Sequence, residues 1–378
     1  MRGCAILLVI ATHLASGTTA ASGFDEVVLR ILRAGWIGVD LFFVLSGFLI
    51  TGILLDTRGD PRYFRVFLAR RALRILPLYW LYLLLLVVAA WWLPPDPQRE
   101  TLLASLPWHA AYLTNVIVAL QGWDVSGFQT GHLWSLSVEE QFYLVWPWLV
   151  LAAGARRLRD ATVRAMFWLP ALRAAAVAAG VLTLTTHLLT PFRADSFAAG
   201  ALLAIVVRDE ERDRFLPRLR LAGTVATALV VAIALHDRGL RYSSPLVRTA
   251  GYTLLAVGFA SLIERVLHAQ PGSLLARPLG SRALQSIGRY SYSIYLFHPP
   301  VLLAFDTLIL NRGDLPVIAG SRLPALAIYG VVFSTVMWAI GFTTWSLFER
   351  HFLALKRRFP YSSHDAGPGM VEATAKAA

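Results

Sequence analysis

Cysteine is almost missing from this chain: Cys4 is the only one in 378 residues, which excludes an internal disulfide framework and a multi-cysteine metal site. Lysine is nearly as rare, with only Lys356 and Lys376 among the 35 basic residues. Charged residues of both signs make up 15%, where soluble domains carry about a quarter, so a soluble enzyme core is excluded too. No P-loop, heptad or internal repeat is visible, which leaves ATP-driven transport without support. No small-residue cleavage site follows the first apolar run, so that run is not expected to be a cleaved signal peptide. What the chain does have is apolar mass: 57% hydrophobic residues and a mean hydropathy of +0.58. Its net charge of +12 comes from 35 basic against 23 acidic residues. The arginines stand in short clusters between apolar runs and form no single patch, which argues against nucleic acid as a partner. An all-α, polytopic transmembrane helix bundle embedded in the lipid bilayer is the expected fold class.

Runs long enough to cross a bilayer, or to do so when buried in a bundle, lie at roughly 3–16, 36–55, 74–93, 132–154, 171–189, 192–207, 219–236, 246–264, 287–310 and 323–348. Residues 94–131, with Pro94, Pro95, Pro97 and Pro107, read as a loop with a partly embedded helix. The arginine-rich segments are 56–72, 155–165, 208–218, 265–286 and 350–378. About ten membrane-spanning helices with both termini cytoplasmic put every rich segment inside. An eleventh crossing in 94–131 would invert the pattern halfway. The expected organisation is a transmembrane domain over 1–359 and a disordered cytoplasmic tail over 360–378, in a multi-pass protein of the inner (plasma) membrane.

Ionisable residues inside apolar runs cost about 2.5–3.5 kcal/mol each, so each needs a reason. Arg2 and His13 are eleven residues apart on the first helix and face the same way, about 16 Å from one another, suited to the two ends of one extended ligand. Histidine suits proton abstraction from a hydroxyl near neutral pH. In the second run, Gly38 and Gly47 permit close helix approach while Asp40 and Ser46 are polar points, equally explained by helix packing. Arg70, Arg71 and Arg74 cluster at the start of the third, with Pro77 able to kink the helix behind them. Arg71 and Arg74 share a face, a geometry fitted to phosphate oxygens, although a positive-inside anchor explains arginines there as well.

The stretch 131–147 places His132, Ser135, Glu139 and Tyr143 on one stripe, with Trp134, Glu140 and Gln141 beside them. A buried carboxylate there can orient or relay a proton. Arg193 and Asp195 read as a local ion pair. Ser291, Tyr295 and His298 follow i, i+4, i+7, and Pro299–Pro300 are expected to break the backbone beside the histidine. Glu349 at the end of the last run reads equally as an exposed surface group.

Taken in order, these stretches resemble the acyltransferase family 3 of integral membrane acyltransferases. The carrying residues are Arg2-x10-His13, GVDLFFVLSGFLIT at 38–51, and Arg71-x2-Arg74 with Pro77 and Tyr79. They continue with HLWSLSVEEQFYLVWP at 132–147, RADSFAAGALLA at 193–204, YSYSIYLFHPP at 290–300 and Glu349. The resemblance implies an O-acyltransferase, usually an O-acetyltransferase, moving an acyl group from cytoplasmic acyl-coenzyme A to a hydroxyl of a carbohydrate or glycosylated acceptor. It implies His13 as the catalytic histidine with Arg2 as its motif partner, Arg71 and Arg74 as a pair needed for activity, and Glu349 as the carboxylate of the last helix. With these, Glu139 is the second candidate for the chemistry, and Arg2, Arg70, Arg71 and Arg74 are the donor-binding set. Asp40, Ser46, His132, Trp134, Ser135, Gln141, Tyr143, Asp195, Tyr295, His298 and Glu349 support them. Acyl-coenzyme A is then a co-substrate, and neither a metal nor a tightly bound cofactor is expected.

Family members carry Leu-Asp-Gly-Leu before the Arg-Gly that here is Arg2-Gly3. Either the first helix extends upstream of Met1 or it is about 14 residues and about 21 Å long. The fused esterase-like domain of some members is not expected. Two readings compete with acyl transfer: a secondary transporter using buried His, Glu and Arg, for which no matching halves are visible, and an inactive sensor on the same fold.

Overall fold

The computed structural model describes residues 1–92, 97–270 and 272–361. The expected tail from 362 onward, and Pro94 and Pro95, lie outside the described residues. Those described form helices and no β-strand beyond a single Ile318–Ser321 bridge. In chain order the helices are α1 (Arg2–Ser16), α2 (Gly23–Arg33), α3 (Ile37–Asp56), α4 (Tyr63–Trp92), α5 (Pro97–Ala110) and α6 (Thr114–Gln121). They continue with α7 (Trp134–Ala178), α8 (Thr183–Leu188), α9 (Ala194–Val206), α10 (Arg212–His236), α11 (Tyr252–Leu267) and α12 (Ala276–Leu279). The last are α13 (Arg282–Arg289), α14 (Ser291–Leu308), α15 (Leu323–Thr344) and α16 (Arg350–Ala354).

Five stretches are long and apolar enough to cross a membrane: Gly23–Asp56, Tyr63–Trp92, Arg212–His236, Val247–Leu267 and Leu323–Arg358. The chain is a membrane protein by that measure and by its surface, where Leu84, Trp92, Trp148, Phe167, Leu235 and Val331 stand exposed on long apolar helices. Helix α10 is the most peripheral of the five and α3 the most buried. Because α3 is apolar on every side, it sits at the centre and packs on α1, α7, α9 and α11. Its tightest crossing is with α9. A Cβ on Gly47 would lie 2.2 Å from the Phe197 carbonyl oxygen, and one on Gly200 would lie 2.0 Å from that of Val44. Gly200→Val is therefore expected to force the two helices apart at a cost of about 1–3 kcal/mol, read as a lowered Tm in detergent.

Three boundaries depart from the sequence reading. The expected run 171–189 is not one helix: α7 stops at Ala178 and a turn separates it from α8. The arginine cluster 156–164 is helical, but it follows a break at Gly154, whose φ of +71° and ψ of 160° are not helical, so α7 is two helical parts and the expected run 132–154 ends where the first of them does. Residues 97–121, expected as a loop with one embedded helix, form α5 and α6. The reason is His109. Its Nδ1 meets Thr114 Oγ1 at 2.8 Å, and its Nε2 meets the Ser105 and Thr130 hydroxyls, each at 3.1 Å. Burial pushes the imidazole down to about 4, keeping it neutral inside this network.

The amphipathic α2 starts on Ser22, whose hydroxyl accepts from Asp25 N, and carries acidic residues in its first turn and Arg30 and Arg33 in its last. The Asp25 carboxylate also takes Ser321 Oγ and Arg322 N, tying α2 to the turn before α15.

Candidate active site

Helix α1 carries His13 one turn from its C-terminal end. The His13 Nδ1 lies 2.8 Å from the Val9 carbonyl, which can only accept, so Nδ1 holds the proton and Nε2 keeps its lone pair. The end of the helix is clamped from outside. Arg312 Nη1 donates to the His13 carbonyl oxygen, and its guanidinium is held by Asp306 at 2.6 Å. Asp306 also accepts from Tyr329 OH, and Arg33 donates to the Ala15 and Thr18 carbonyls. These polar groups of α14, α15 and the loop between them were not singled out in the sequence, although an aspartate inside the run 287–310 was a signal of the same kind.

Beside His13 stands His298, with ring centroids 4.7 Å apart and nearly perpendicular. The expected backbone break at Pro299–Pro300 does not occur; α14 runs through both prolines. Their missing N–H groups leave the carbonyls four residues back, Tyr295 and Leu296, without helical partners. Two histidines stand at them: His298 Nδ1 donates to Tyr295 O (2.7 Å), and His132 lies with Nε2 3.1 Å from Leu296 O and Nδ1 3.1 Å from Gln129 O, so that its single ring proton serves one carbonyl or the other. The prolines thereby orient the imidazoles around His13 and join α14 to the start of α7. His298 Nε2 is buried without a partner.

His13, His132, Trp134 and Tyr295 line a cavity of about 780 Å³, with Trp36 and His187 as further walls. His187, in a run read only as apolar, bonds Tyr252 OH at 2.7 Å and stacks on Tyr242. Two buried ion pairs lie at this wall, one of them through Arg193, which lines the cavity itself. They correct the expected local pairing of Arg193 with Asp195: Arg193 Nη2 bonds Asp40 at 2.5 Å, and Asp195 bonds Arg173 at 2.7 Å. Arg193 and Asp195 are two residues apart on one helical turn and point to different neighbours, so each finds its countercharge on another helix, α3 or α7.

A second, smaller chamber of about 80 Å³ is lined by Arg2, Arg71, Arg74, Glu139, Glu140 and Tyr143. Glu139 accepts from Ser46 Oγ at 2.5 Å, and Ser46 in turn accepts from Tyr143 OH at 3.1 Å. Glu139 thus sits with the arginines and lines a different cavity from His13. Among the described residues neither Arg71 nor Arg74 makes an ion-pair contact, and the buried Arg71 Nε has no hydrogen-bond partner. Arg70 does not join them: its Nη1 donates to the Lys356 and Phe359 carbonyls and its guanidinium lies over Tyr361, so it anchors the C-terminal segment.

Arg2 and Arg74 are shared with a third cavity of about 740 Å³, which Glu349 also lines from a π-helical turn. Glu349 is half-buried with an unpartnered Oε1, and so is not the exposed surface group that its place in the sequence allowed. Gln141 reaches none of these spaces; it bonds Tyr112 O, Asn115 and Thr190 and pins α6 and the α8–α9 turn to α7.

Val39 and Tyr295 line both the histidine cavity and the arginine chamber. Between the two, Ser135 Oγ and Tyr295 OH are 2.5 Å apart, and Tyr295 OH donates to His132 O at 3.0 Å. A hydroxyl septum therefore divides a site with a free imidazole nitrogen from one in which Arg71 and Arg74, beside the Glu139 and Glu140 carboxylates, make no ion-pair contact among the described residues. The first can take a proton from a hydroxyl, and the second can hold an anion.

Residues 1–344 match the family described as "Acyltransferase domain". The peptidoglycan O-acetyltransferase OatA of Listeria monocytogenes is 27% identical over 334 residues, which cover 80% of this chain and 48% of that protein. A putative peptidoglycan O-acetyltransferase of Bacillus subtilis, YrhL, is 32% identical over 296 residues, covering 72% and 45%. The O-acetyltransferase OatA of Staphylococcus aureus is 25% identical over 315 residues, covering 76% and 49%. The chain thus spans about half the length of the curated relatives it matches. No solved structure matches it.

Proposed function

Since the chain belongs to the acyltransferase family whose domain it matches over residues 1–344, we propose that it is a membrane O-acyltransferase passing an acetyl group from cytoplasmic acetyl-coenzyme A to a carbohydrate hydroxyl. The observation that carries this is the pair of unlike cavities meeting at one septum: His13 with its free Nε2 on one side, Arg71 and Arg74 with unused donors on the other. A coenzyme A thioester is polyanionic at one end and reactive at the other. Its phosphates match the arginine side, and its arm is long enough to bring the thioester across the septum to His13. The relatives' names support a glycan acceptor, and aromatic walls such as Trp36 and Trp134 suit a sugar ring.

The chemistry balances on this chain's own groups. His13 Nε2 takes the hydroxyl proton as the oxygen attacks the thioester carbonyl carbon. The C–S bond breaks, the ester C–O bond forms, and the imidazolium returns its proton to the departing thiolate. Topology completes the reading. Ten crossings are α1, α3, α4, the parts of α7 before Gly154 and beyond its arginine cluster, α9, α10, α11, α14 and α15. They keep both termini and the arginine side cytoplasmic in an inner membrane.

The test uses proteoliposomes of defined orientation with acetyl-labelled coenzyme A supplied only at the arginine face and glycoside only at the other. Labelled ester on the glycoside is expected. Label transported without ester formation would indicate a transporter, and an acyl group trapped on His13 without acceptor would replace direct transfer by a covalent route.

A further inference from the structure

Resting on the reading that the histidine cavity receives the acceptor, we propose that Arg33 and Arg241 form an anion-recognising edge of that cavity. The acceptor is then an acidic glycan, carrying a carboxylate or a phosphate ester as well as the hydroxyl it presents to His13. Both arginines line the cavity. They come from the last turn of α2 and from the segment after α10, and the structure joins those two segments. Trp36 stands three residues beyond Arg33, and its indole Nε1 donates at 2.9 Å to the carbonyl of Leu240, the neighbour of Arg241. Gly239, at φ +141°, lies so close to α2 that a Cβ would be 2.8 Å from Arg30 Cγ. Its N–H also closes the end of α10 by donating to Ala234 O at 2.7 Å. Arg33 and Arg241 therefore share one edge, with Arg30 and Arg238 on the same two segments.

The carboxylates nearby do not offset this charge. Glu26 is shared, one oxygen 3.3 Å from Arg30 Nη2 and the other 3.6 Å from Arg33 Nη1. Arg33 gives its Nε and Nη2 to the Ala15 and Thr18 carbonyls, and its Nη1 makes no hydrogen bond among the described residues. Asp25 faces the turn before α15, and Asp237 accepts from the Ser244 hydroxyl. Neither Arg238 nor Arg241 makes an ion-pair contact among the described residues. Inside the cavity Arg193 is committed to Asp40, so among the described lining residues Asp124 alone stands against Arg33 and Arg241. The cavity keeps an excess of positive charge. On the proposed orientation this edge lies on the outer face, where the positive-inside bias keeps arginine scarce. Topology therefore gives no reason for four arginines here, and an anionic ligand does. A guanidinium with free donors matches two oxygens of a carboxylate or phosphate. A neutral sugar would displace its water and return no charge.

The experiment uses the full chain in phosphatidylcholine proteoliposomes with acetyl-labelled coenzyme A and four acceptors. These are the p-nitrophenyl glycosides of glucose, glucuronic acid, 3-O-carboxymethylglucose and glucose 6-phosphate. The carboxymethyl compound keeps the primary hydroxyl that the glucuronide and the phosphate lack. The readout is kcat/KM for each acidic glycoside divided by that for the glucoside. Wild type is expected to prefer at least one acidic glycoside by about fivefold at low salt, and by less at high salt. Preference for a carboxylate or for the phosphate identifies the anion. Arg241→Gln is expected to lower the ratio about fivefold, and Arg241→Glu to bring it below one. Arg33 is left in place because its bonds to α1 support the helix that carries His13. A wild-type Tm for both variants keeps misfolding out of the comparison. If no acidic glycoside is preferred to the glucoside, or if the ratio survives both substitutions, the proposal is overturned. If wild type turns over the donor but acylates none of the four, the proposal is overturned while the donor side of the reading stands. If the donor is not turned over at all, the reading itself fails, and the proposal with it.

Discussion

His13→Ala is expected to lower acyl transfer by about 10²–10⁴-fold, the range that a positioned general base contributes. On the proposed reading the loss should fall on kcat, because the arginine chamber offered to the donor's phosphates lies on the far side of the Ser135–Tyr295 septum and His13 does not line it. His13→Gln is the sharper variant. It keeps a hydrogen-bonding side chain in the cavity but offers no basic nitrogen, and should be as inactive as alanine. The measurement is label transfer to glycoside at matched protein levels in the membrane. Undiminished transfer in either variant would remove His13 from the chemistry.

Removing both Arg71 and Arg74 is expected to raise the donor KM by about 10²–10³-fold. Each charge-assisted hydrogen bond is worth about 1.5–3 kcal/mol, and neither guanidinium makes an ion-pair contact among the described residues. Arg71→Lys keeps charge but not the planar fork and should recover only part of the affinity. If the contact proposed is with phosphate, weakening by salt should be steeper for wild type than for the double variant. An equal salt dependence in the two proteins would mean that these arginines do not meet the donor. Arg70→Ala is the internal comparison: its Nη1 is taken up by the Lys356 and Phe359 carbonyls, so its loss should loosen the C-terminal segment and leave donor KM far less affected.

Why were His13, Arg71, Arg74 and Glu139 legible in the sequence? An ionisable residue in an apolar run is costly enough to stand out wherever the chain folds. The helical stripe also correctly paired Tyr295 with His298 on one side of α14. Depth was not legible. A stripe states which residues share a face but not which cavity each one reaches, so Glu139 and His132, seven residues apart, line different spaces. Partner choice was not legible either. The proximity of Arg193 and Asp195 in sequence favoured a local pair, and packing against α3 and α7 overrode it. The helices at 97–121 were legible only as one partly embedded helix in a loop, because their prolines and polar residues obscure the pattern, while what folds them is a neutral histidine satisfied by three hydroxyls. The clamp of Arg312 on His13 joins positions 299 residues apart, a separation at which periodicity carries no information.

A transmembrane voltage falls mainly where water-filled spaces are interrupted, and two cavities of this molecule are interrupted at the septum of Ser135 and Tyr295. Moving one elementary charge through the whole field is worth about 2.3 kcal/mol per 100 mV. On the proposed orientation, a donor whose phosphates stay with Arg71 and Arg74 keeps its charges on one side of that drop. What passes the septum is a neutral thioester end, and what remains beyond it is a neutral ester. Acyl transfer is then electrically silent, and its rate should be the same in polarised and depolarised vesicles.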